Sequence, residues 1–230
     1  MERKGIRCLR ESPAEEFDLA VAPVHSPERY MVPARAVRFI THHQAVGELA
    51  KFNFPTIEIT GAKGKTSTCH LLSFLLSRDG TRVLSLTSSG LAACGPGAGP
   101  LENRVSIAPP TLLRLSKERL DYDLGVLEVS LGGSGLAKVG VITGLQEDYP
   151  IAAGTRRARD GKAQMIRSAR GGLVYPAEEA DIWGPMVPPG AEVVSFGPGG
   201  NVQVRLEPGT LGGSSTLHVR VDDKESAWVL

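Results

Sequence analysis

The segment that most constrains the fold is a strand-like run that ends in a glycine-rich loop and is followed at once by a helical pattern. The run Thr56–Thr60 (TIEIT) is rich in β-branched residues, and from Lys65 to about Arg78 apolar residues recur at steps of three and four. A strand, loop and helix in this order bring backbone N–H groups and the positive end of the helix dipole together, which suits phosphate groups. The segment therefore predicts a nucleotide site in an α/β fold.

The side chains of this loop suit ATP and its metal ion. Lys65 is expected to reach the β- and γ-phosphates, and the Thr66 hydroxyl is expected to bind Mg²⁺, a hard cation that takes few protein oxygens. The general pattern G-x-x-x-x-G-K-[ST] is not met, because its first glycine would fall at Ile59. A chance glycine turn is the alternative, but the flanking strand and helix favour nucleotide binding. The predicted ATP-binding residues are Thr60, Gly61, Ala62, Lys63, Gly64, Lys65, Thr66 and Ser67.

Along the rest of the chain, short apolar runs alternate with helical patterns, which is typical of βαβ units and a parallel sheet. A capping-box pattern at Thr41 and Gln44 predicts a helix to about Lys51, and residues 155–170 predict a basic helix. The predicted fold is α/β, a P-loop-type, mostly parallel sheet flanked by helices, with a small antiparallel β layer from Glu192 onward. The other predicted strands are 18–22, 37–40, 82–86, 124–129, 139–143 and 172–175.

Composition excludes several classes of partner. Lys and Arg number 26 against 25 for Asp and Glu, so no global field draws the protein to nucleic acid or an anionic membrane. No apolar run approaches the roughly 18 residues of a membrane helix, and no signal peptide is visible, which predicts a cytoplasmic location. Cys8, Cys69 and Cys94 have no disulfide or metal spacing, and Cys69 is expected to be a core side chain.

Five segments, in order along the chain, resemble motifs of the Mur ligase superfamily, which includes the peptidoglycan peptide ligases and folylpolyglutamate synthetase. The resemblance covers roughly residues 53–200, the central ATPase domain. The segments are the loop 60–66 (TGAKGKT), 108–113 (APPTLL), 127–130 (LEVS), 142–149 (ITGLQEDY) and 162–166 (KAQMI).

This resemblance implies a reaction and a set of site residues. It implies that ATP activates a carboxylate as an acyl phosphate, which a nucleophile then attacks. The implied catalytic residues are Lys65, Glu128 and Lys162, with Thr66 and Glu128 as Mg²⁺ ligands. Lys162 corresponds to a lysine that is carbamylated in the family; unmodified, it would contact phosphate directly. The implied partner is a small-molecule carboxylate, and an alternative is a subunit that binds ATP without catalysis.

Three residues depart from the family motifs. Tyr149 stands where a metal-binding histidine is usual, Gly144 where an asparagine is usual, and Leu131 where a second serine is usual. These departures favour a divergent branch over a site that has lost catalysis. Segments 18–25, 41–43 and 147–149 are most similar to the methanogen branch that closes a carbocyclic ring in the nickel tetrapyrrole coenzyme F-430. A Mur-type amide ligase is the alternative, and a small-molecule kinase is a further class.

We expect two domains in this chain: residues 1–52 as an N-terminal α/β segment, with a truncated substrate domain as one interpretation of it, and residues 53–230 as the central ATPase domain. The C-terminal ligase domain of the same polypeptide is expected to be absent, so this chain is expected to be inactive alone.

Several charged or polar residues have two interpretations. His42 and His43 suit a first-turn capping role better than a metal site. Glu58, in an apolar strand, is expected to be a structural carboxylate with a partner. The basic residues of the helix predicted at 155–170 form either a solvated face or a contact with a polycarboxylate or phosphate. These residues are Arg156, Arg157, Arg159, Lys162, Arg167 and Arg170.

Overall fold

The protein is described by a computed structural model, which covers residues 16–26, 35–209 and 213–229. Cys8 lies outside these residues. The α-helices are α1 His42–Leu49, α2 Lys65–Ser77, α3 Pro109–Leu115, α4 Ala158–Arg167 and α5 Ala180–Trp183. The strands are β1 Glu16–Ala22, β2 Arg35–Thr41, β3 Thr56–Thr60, β4 Val83–Thr87, β5 Gly90–Cys94, β6 Gly99–Asn103, β7 Leu124–Glu128, β8 Val139–Ile142, β9 Pro150–Ile151, β10 Arg156–Arg157, β11 Gly172–Pro176, β12 Glu192–Phe196, β13 Val202–Glu207, β14 Thr216–Val221 and β15 Lys224–Val229. Across these segments, no helix is long and apolar enough to span a membrane.

One eleven-stranded mixed sheet dominates the fold, with the strand order β15-β14-β13-β12-β11-β8-β3-β7-β4-β5-β6. The run from β13 to β4 is parallel throughout, and antiparallel strands extend it at both edges, β14 and β15 on one side and β5 and β6 on the other. The predicted α/β class is confirmed. Strands β1 and β2 form a separate parallel pair, and β9 and β10 form a short antiparallel pair.

Both faces of the central sheet are covered, as parallel strands require. Ile59, Val83 and Val126 pack on one face with Cys69 of α2, which has no exposed surface. Burial raises the pKa of the Cys69 thiol to about 12, so this cysteine is a core side chain as predicted. On other parts of the sheet, one cluster joins α1 and α3 and another joins α4 and α5.

The predicted antiparallel strands near the C-terminus are confirmed, because β13, β14 and β15 form an antiparallel run. These strands continue the main sheet through β12, which is parallel to β11. The hairpin β5–β6 and helix α3 were not predicted. Their sequences, GLAAC, GPLEN and PPTLLRL, carry few strong strand formers or no complete helical period.

Local hydrogen bonds set the starts of helices α1 and α4. At α1, the predicted capping box forms, because Thr41 Oγ1 accepts from Gln44 N at 3.2 Å and Gln44 Oε1 accepts from Thr41 N at 2.8 Å. Helix α4 is shorter than the predicted 155–170 because β10 precedes it. Asp160 Oδ2 accepts from Arg157 N at 2.9 Å at its first turn.

Glu58 is fully buried in the central strand β3, and its partner is Ser134. The backbone N–H of Ser134 donates to Glu58 Oε2 at 2.8 Å, and the Ser134 hydroxyl donates to Glu58 Oε1. Burial raises the pKa of Glu58, and the two hydrogen bonds oppose that rise only in part. Glu58 is thus a partnered structural carboxylate.

Glu58→Gln is expected to remove a pH-dependent cost of folding. Because the folded pKa lies above the ordinary 4.5, the contribution of Glu58 to stability is complete below pH 4.5 and declines as pH rises toward the folded pKa. Relative to Glu58→Gln, the wild-type free energy of unfolding should fall as the pH rises above 4.5, which urea titrations at pH 4.5 and pH 8 measure. The exposed Glu118→Gln serves as control, and a difference that does not vary with pH would contradict the raised pKa.

Candidate nucleotide-binding site

The predicted site residues meet at the carboxyl edge of three adjacent parallel strands. Strand β3 pairs with β7 on one side and β8 on the other, with Ile59 opposite Glu128 and Thr60 opposite Ile142. The strand order changes direction at β3, and open α/β sheets bind ligands at such a point. The loop 61–64 therefore leaves β3 beside the ends of both neighbours.

Thr143, just after β8, holds the glycine loop in place. Its hydroxyl donates to the Lys63 carbonyl at 2.6 Å, and the Ala62 N–H donates to the Gly144 carbonyl at 2.7 Å. Gly61 has φ of 151°, and a Cβ there would lie 2.0 Å from Thr143 Oγ1, so no larger residue fits. Thr143 lies within the quoted segment 142–149, but the sequence does not single it out.

Beyond the loop, Thr66 of α2 contacts two oxygen-bearing side chains, those of Glu128 and Ser88. Its hydroxyl donates to Glu128 Oε2 at 2.9 Å and lies 3.2 Å from Ser88 Oγ. The same carboxylate oxygen accepts from the Ser88 N–H at 2.9 Å, and Glu128 is only 2% exposed. The residues predicted as metal ligands are thus in direct contact. Ser88 was missed, and its only sequence signal is a small polar residue after a strand.

The remaining loop residues surround this contact. Thr60 is fully buried, and its hydroxyl has no hydrogen-bond partner among the residues that the structure describes. Lys65 is half-buried at the start of α2, next to Gly64, while Lys63 and Ser67 are exposed. Within residues 16–26, 35–209 and 213–229, no three His, Cys, Asp or Glu side chains are grouped to hold a metal ion.

Lys162 approaches the same loop from α4. It has no exposed surface, and its Nζ donates to the Gly61 carbonyl at 3.2 Å. The ammonium also lies 5.7 Å from the centre of the Tyr149 ring, within cation–π range. Burial, and secondarily the charge of Lys65, lowers the pKa of Lys162 to about 8 against the attraction of Asp148 and Glu179.

Two of the departures from the family motifs, Tyr149 and Gly144, have local physical reasons. Tyr149 supplies a ring face to Lys162 where a histidine would supply a nitrogen. Gly144 has φ of 140°, a conformation that side chains rarely adopt, which accounts for the missing asparagine. Glu179 holds this turn, because its Oε1 accepts from Leu145 N at 2.6 Å and its Oε2 from Trp183 Nε1 at 2.7 Å. Glu179 was not predicted.

The two histidines lie on α1, which packs against α3. His43 is buried, and burial, with the charges of His42 and His25, lowers its pKa to about 4. Neither of its ring nitrogens has a hydrogen-bond partner among the described residues. Thr41 caps the helix, so the capping function does not fall to the histidines.

Lys162→Met is expected to remove the destabilisation that comes from burying a charged ammonium, and this gain should depend on pH. The pKa of Lys162 is about 8 in the folded protein, against an ordinary value of 10.5. Burial of the charged ammonium therefore destabilises the fold most below pH 8, and the wild-type free energy of unfolding rises between pH 8 and 10.5. At pH 7 the variant should therefore gain roughly 1–3 kcal/mol relative to wild type, and that gain should shrink as pH increases.

Urea denaturation of both proteins at pH 7 and pH 9.5 measures this effect. Lys117→Met, which replaces an exposed lysine, is the control. A stability difference that is the same at both pH values would show that Lys162 is not a free amine in the folded protein, as expected for a carbamate.

Solved structures with a similar fold include two ligases. The chain aligns with a MurF ligase from Thermotoga maritima in complex with ADP at a TM-score of 0.56 and 16% identity, over 96% of this chain and 56% of that one. It aligns with a bifunctional folylpolyglutamate synthase/dihydrofolate synthase, solved with Mn, AMPPNP and L-glutamate, at a TM-score of 0.55 and 20% identity, over 80% of this chain and 52% of that one. The chain therefore has the fold of Mur-type ligases.

Comparison of sequences identifies proteins that are more similar to this chain than the solved structures are. The coenzyme F(430) synthetase of Methanosarcina acetivorans is 38% identical over 186 residues, which are 74% of this chain and 39% of that protein. The coenzyme F(430) synthetase of Methanocaldococcus jannaschii is 32% identical over 162 residues, 67% of this chain and 34% of that protein. No protein-family model matches the chain. The predicted resemblance to the Mur ligase superfamily and to its coenzyme F-430 branch is confirmed.

Proposed function

We propose that this chain is the nucleotide-binding part of an ATP-dependent, ADP-forming ligase that activates a substrate carboxylate as an acyl phosphate. The observation that carries the proposal is the contact of Thr66 with Glu128 beside a glycine loop that Lys162 also touches. One anionic, one hydroxyl and two cationic side chains thus surround the place where phosphate groups would bind. Phosphoryl transfer depends on this kind of positioning and charge neutralisation.

The residues present suit ATP with Mg²⁺. The buried, unpartnered Thr60 hydroxyl and the close approach permitted by Gly61 leave polar backbone and side-chain groups for phosphate oxygens. The Thr66 hydroxyl and the Glu128 carboxylate are the hard oxygen ligands that Mg²⁺ prefers. When bound, Mg²⁺ would neutralise phosphate charge and orient the transferred group. The metal seen in the folylpolyglutamate synthase structure is Mn, so Mg²⁺ is our assignment for this chain.

Each side chain then has a role. Lys65 binds the β- and γ-phosphates, and Thr66 and Glu128 hold the metal. Lys162, as an unmodified amine, contacts the γ-phosphate, a role supported by its donation to Gly61 and by the facing Tyr149 ring. A carboxylate oxygen attacks the γ-phosphorus, the bond to ADP breaks, and attack of a nucleophile on the acyl carbon releases phosphate.

We assign the substrate to the class suggested by the sequence relatives. Both are coenzyme F(430) synthetases, so the carboxylate would belong to a nickel tetrapyrrole and the nucleophile would be a carbon atom that closes a ring. The chain spans 39% and 34% of these relatives, and their activity is carried over here as a proposal. The domain boundary at residue 53, the need for a C-terminal domain and the cytoplasmic location likewise stay predictions.

A second candidate is a Mur-type amide ligase. The observation in its favour is the shared fold with MurF and folylpolyglutamate synthase, in which the attacking group would be an amine. Both candidates pass through an acyl phosphate, and the nucleophile distinguishes them.

Hydroxylamine trapping tests the proposal in the protein as its host makes it. With Mg·ATP and a nickel tetrapyrrole polycarboxylic acid, we expect a hydroxamate and equimolar ADP, because hydroxylamine intercepts acyl phosphates. A muramyl peptide is the parallel acceptor, and a hydroxamate from it alone would favour the amide ligase. A stably phosphorylated product would indicate a kinase, and ATP binding without any product would indicate a non-catalytic subunit.

A further inference from the structure

A polar cavity lies on the side of α4 that faces α1 and the end of β1. Its volume is about 430 Å³, and Val24, Gln44, Arg156, Gln164 and Arg167 are among its lining residues. The first two come from the N-terminal part of the chain and the others from β10 and α4. None of these side chains belongs to the nucleotide site described above.

In both glutamines of the cavity, the side-chain oxygen accepts a hydrogen bond from Thr41, and the side-chain NH₂ group is available as a donor. Gln44 Oε1 accepts from the Thr41 N–H at 2.8 Å, and Gln164 Oε1 accepts from the Thr41 hydroxyl at 3.1 Å. Neither side-chain NH₂ group donates to any other residue in the described ranges. The cavity therefore offers two amide donors to a ligand.

Positive charge in the cavity is only partly balanced. Arg156 makes one long contact, from Nη1 to the Val24 carbonyl at 3.5 Å, and Arg167 Nη2 lies 3.3 Å from Met186 Sδ. Neither guanidinium forms a salt bridge with a described carboxylate. The one acidic lining residue is Asp160, which already accepts from the Arg157 N–H. A donor-rich cavity with two arginines suits a ligand that only accepts hydrogen bonds, such as a carboxylate.

The position of the cavity relates it to the nucleotide loop. Asp160, Gln164 and Arg167 follow each other at helical steps of four and three, so they share one face of α4. Lys162 projects from another face and reaches Gly61. The cavity and the loop thus lie on two sides of one helix, separated by roughly its 10 Å diameter.

We propose that this cavity binds a second carboxylate of the substrate, distinct from the carboxylate that is activated at the loop. The inference rests on the proposed ligase function and adds the place where a second carboxylate binds, between Arg156 and Arg167. These arginines orient the substrate across α4, and the glutamine amides supply further hydrogen bonds.

Direct binding of a simple probe tests the proposal. Propane-1,2,3-tricarboxylate is titrated into the protein by calorimetry with the nucleotide loop saturated by Mg·ADP, and inorganic phosphate is the parallel probe. The variants are Arg156→Gln, Arg167→Gln and their combination. The matched control is Arg159→Gln, an exposed arginine of the same helix that does not line the cavity.

We expect the double variant to bind the tricarboxylate at least about tenfold more weakly, the control to change less than about twofold, and Mg·ADP affinity to stay the same. Absence of tricarboxylate binding by the wild type, or equal affinity in the double variant, overturns the proposal. Tighter binding of phosphate than of tricarboxylate overturns the carboxylate assignment. If the double variant does not fold, the exposed Arg167→Gln decides the outcome. Failure of the wild type to bind Mg·ADP instead contradicts the proposed function.

Discussion

Replacing Lys65 by alanine is expected to weaken Mg·ATP binding by about 100-fold and to lower turnover by about 1,000-fold or more. Lys65 begins α2 directly after the loop that Thr143 holds against β8, so in the proposed site a rigid turn would place its ammonium next to the phosphates of ATP. Neither neighbouring lysine is expected to replace it, because Lys63 is exposed and Lys162 already has its own proposed contact with the γ-phosphate from the other side of the loop. The loss is therefore not compensated.

Calorimetry with Mg·ATP measures the change in affinity. The rate of ADP release by the protein isolated from its source organism measures turnover. Lys51→Ala, which removes an exposed lysine that lies outside the loop, is the control for the change of charge. Wild-type affinity and rate in Lys65→Ala would refute the assignment of the nucleotide site.

Glu128→Gln is expected to lower turnover by about 1,000-fold while leaving the fold intact. The substitution keeps the shape of the side chain and an oxygen that accepts from Thr66 and the Ser88 N–H, but it removes the negative charge that Mg²⁺ requires. The Mg²⁺ concentration needed for half-maximal nucleotide binding should rise by about tenfold.

Titration of Mg²⁺ at fixed nucleotide, monitored by calorimetry, checks this expectation, and thermal unfolding verifies that the variant is folded. Glu102→Gln, in an exposed ion pair with Arg114, is the matched control. If Glu128→Gln needs no more Mg²⁺ than wild type, Glu128 does not act on the metal, and its role is limited to holding Thr66 and Ser88.

Local pattern was sufficient where neighbouring residues decide the structure. Strand Thr56–Thr60, helix Lys65–Ser77 and the capping box at Thr41 were each predicted to within a residue or two. Side-chain periodicity and capping depend on residues three or four apart, so the sequence carries them directly. The same holds for the backbone of the glycine loop, because the φ of 151° at Gly61 is a local conformation that favours glycine.

The groups that complete the site are supplied by distant parts of the chain. Ser88 follows β4, Thr143 follows β8, and Glu179 comes before α5, and each is an ordinary polar residue in its own segment. Their roles arise because β3 lies between β7 and β8 in the sheet. No spacing rule within a segment contains that order, and the partner of Glu58 was missed for the same reason.

The sequence by itself determined the α/β class, the glycine loop between strand and helix and the resemblance to Mur-type ligases, and it predicted the residues that would act on ATP, because these depend on short-range spacing. Only the tertiary structure decided that Thr66 and Glu128 touch, that Lys162 faces the ring of Tyr149, and that Arg156 and Arg167 line a cavity with two glutamines. These contacts join elements that strand pairing and helix packing bring together across tens of residues. Their energies depend on burial, which the order of residues does not reveal.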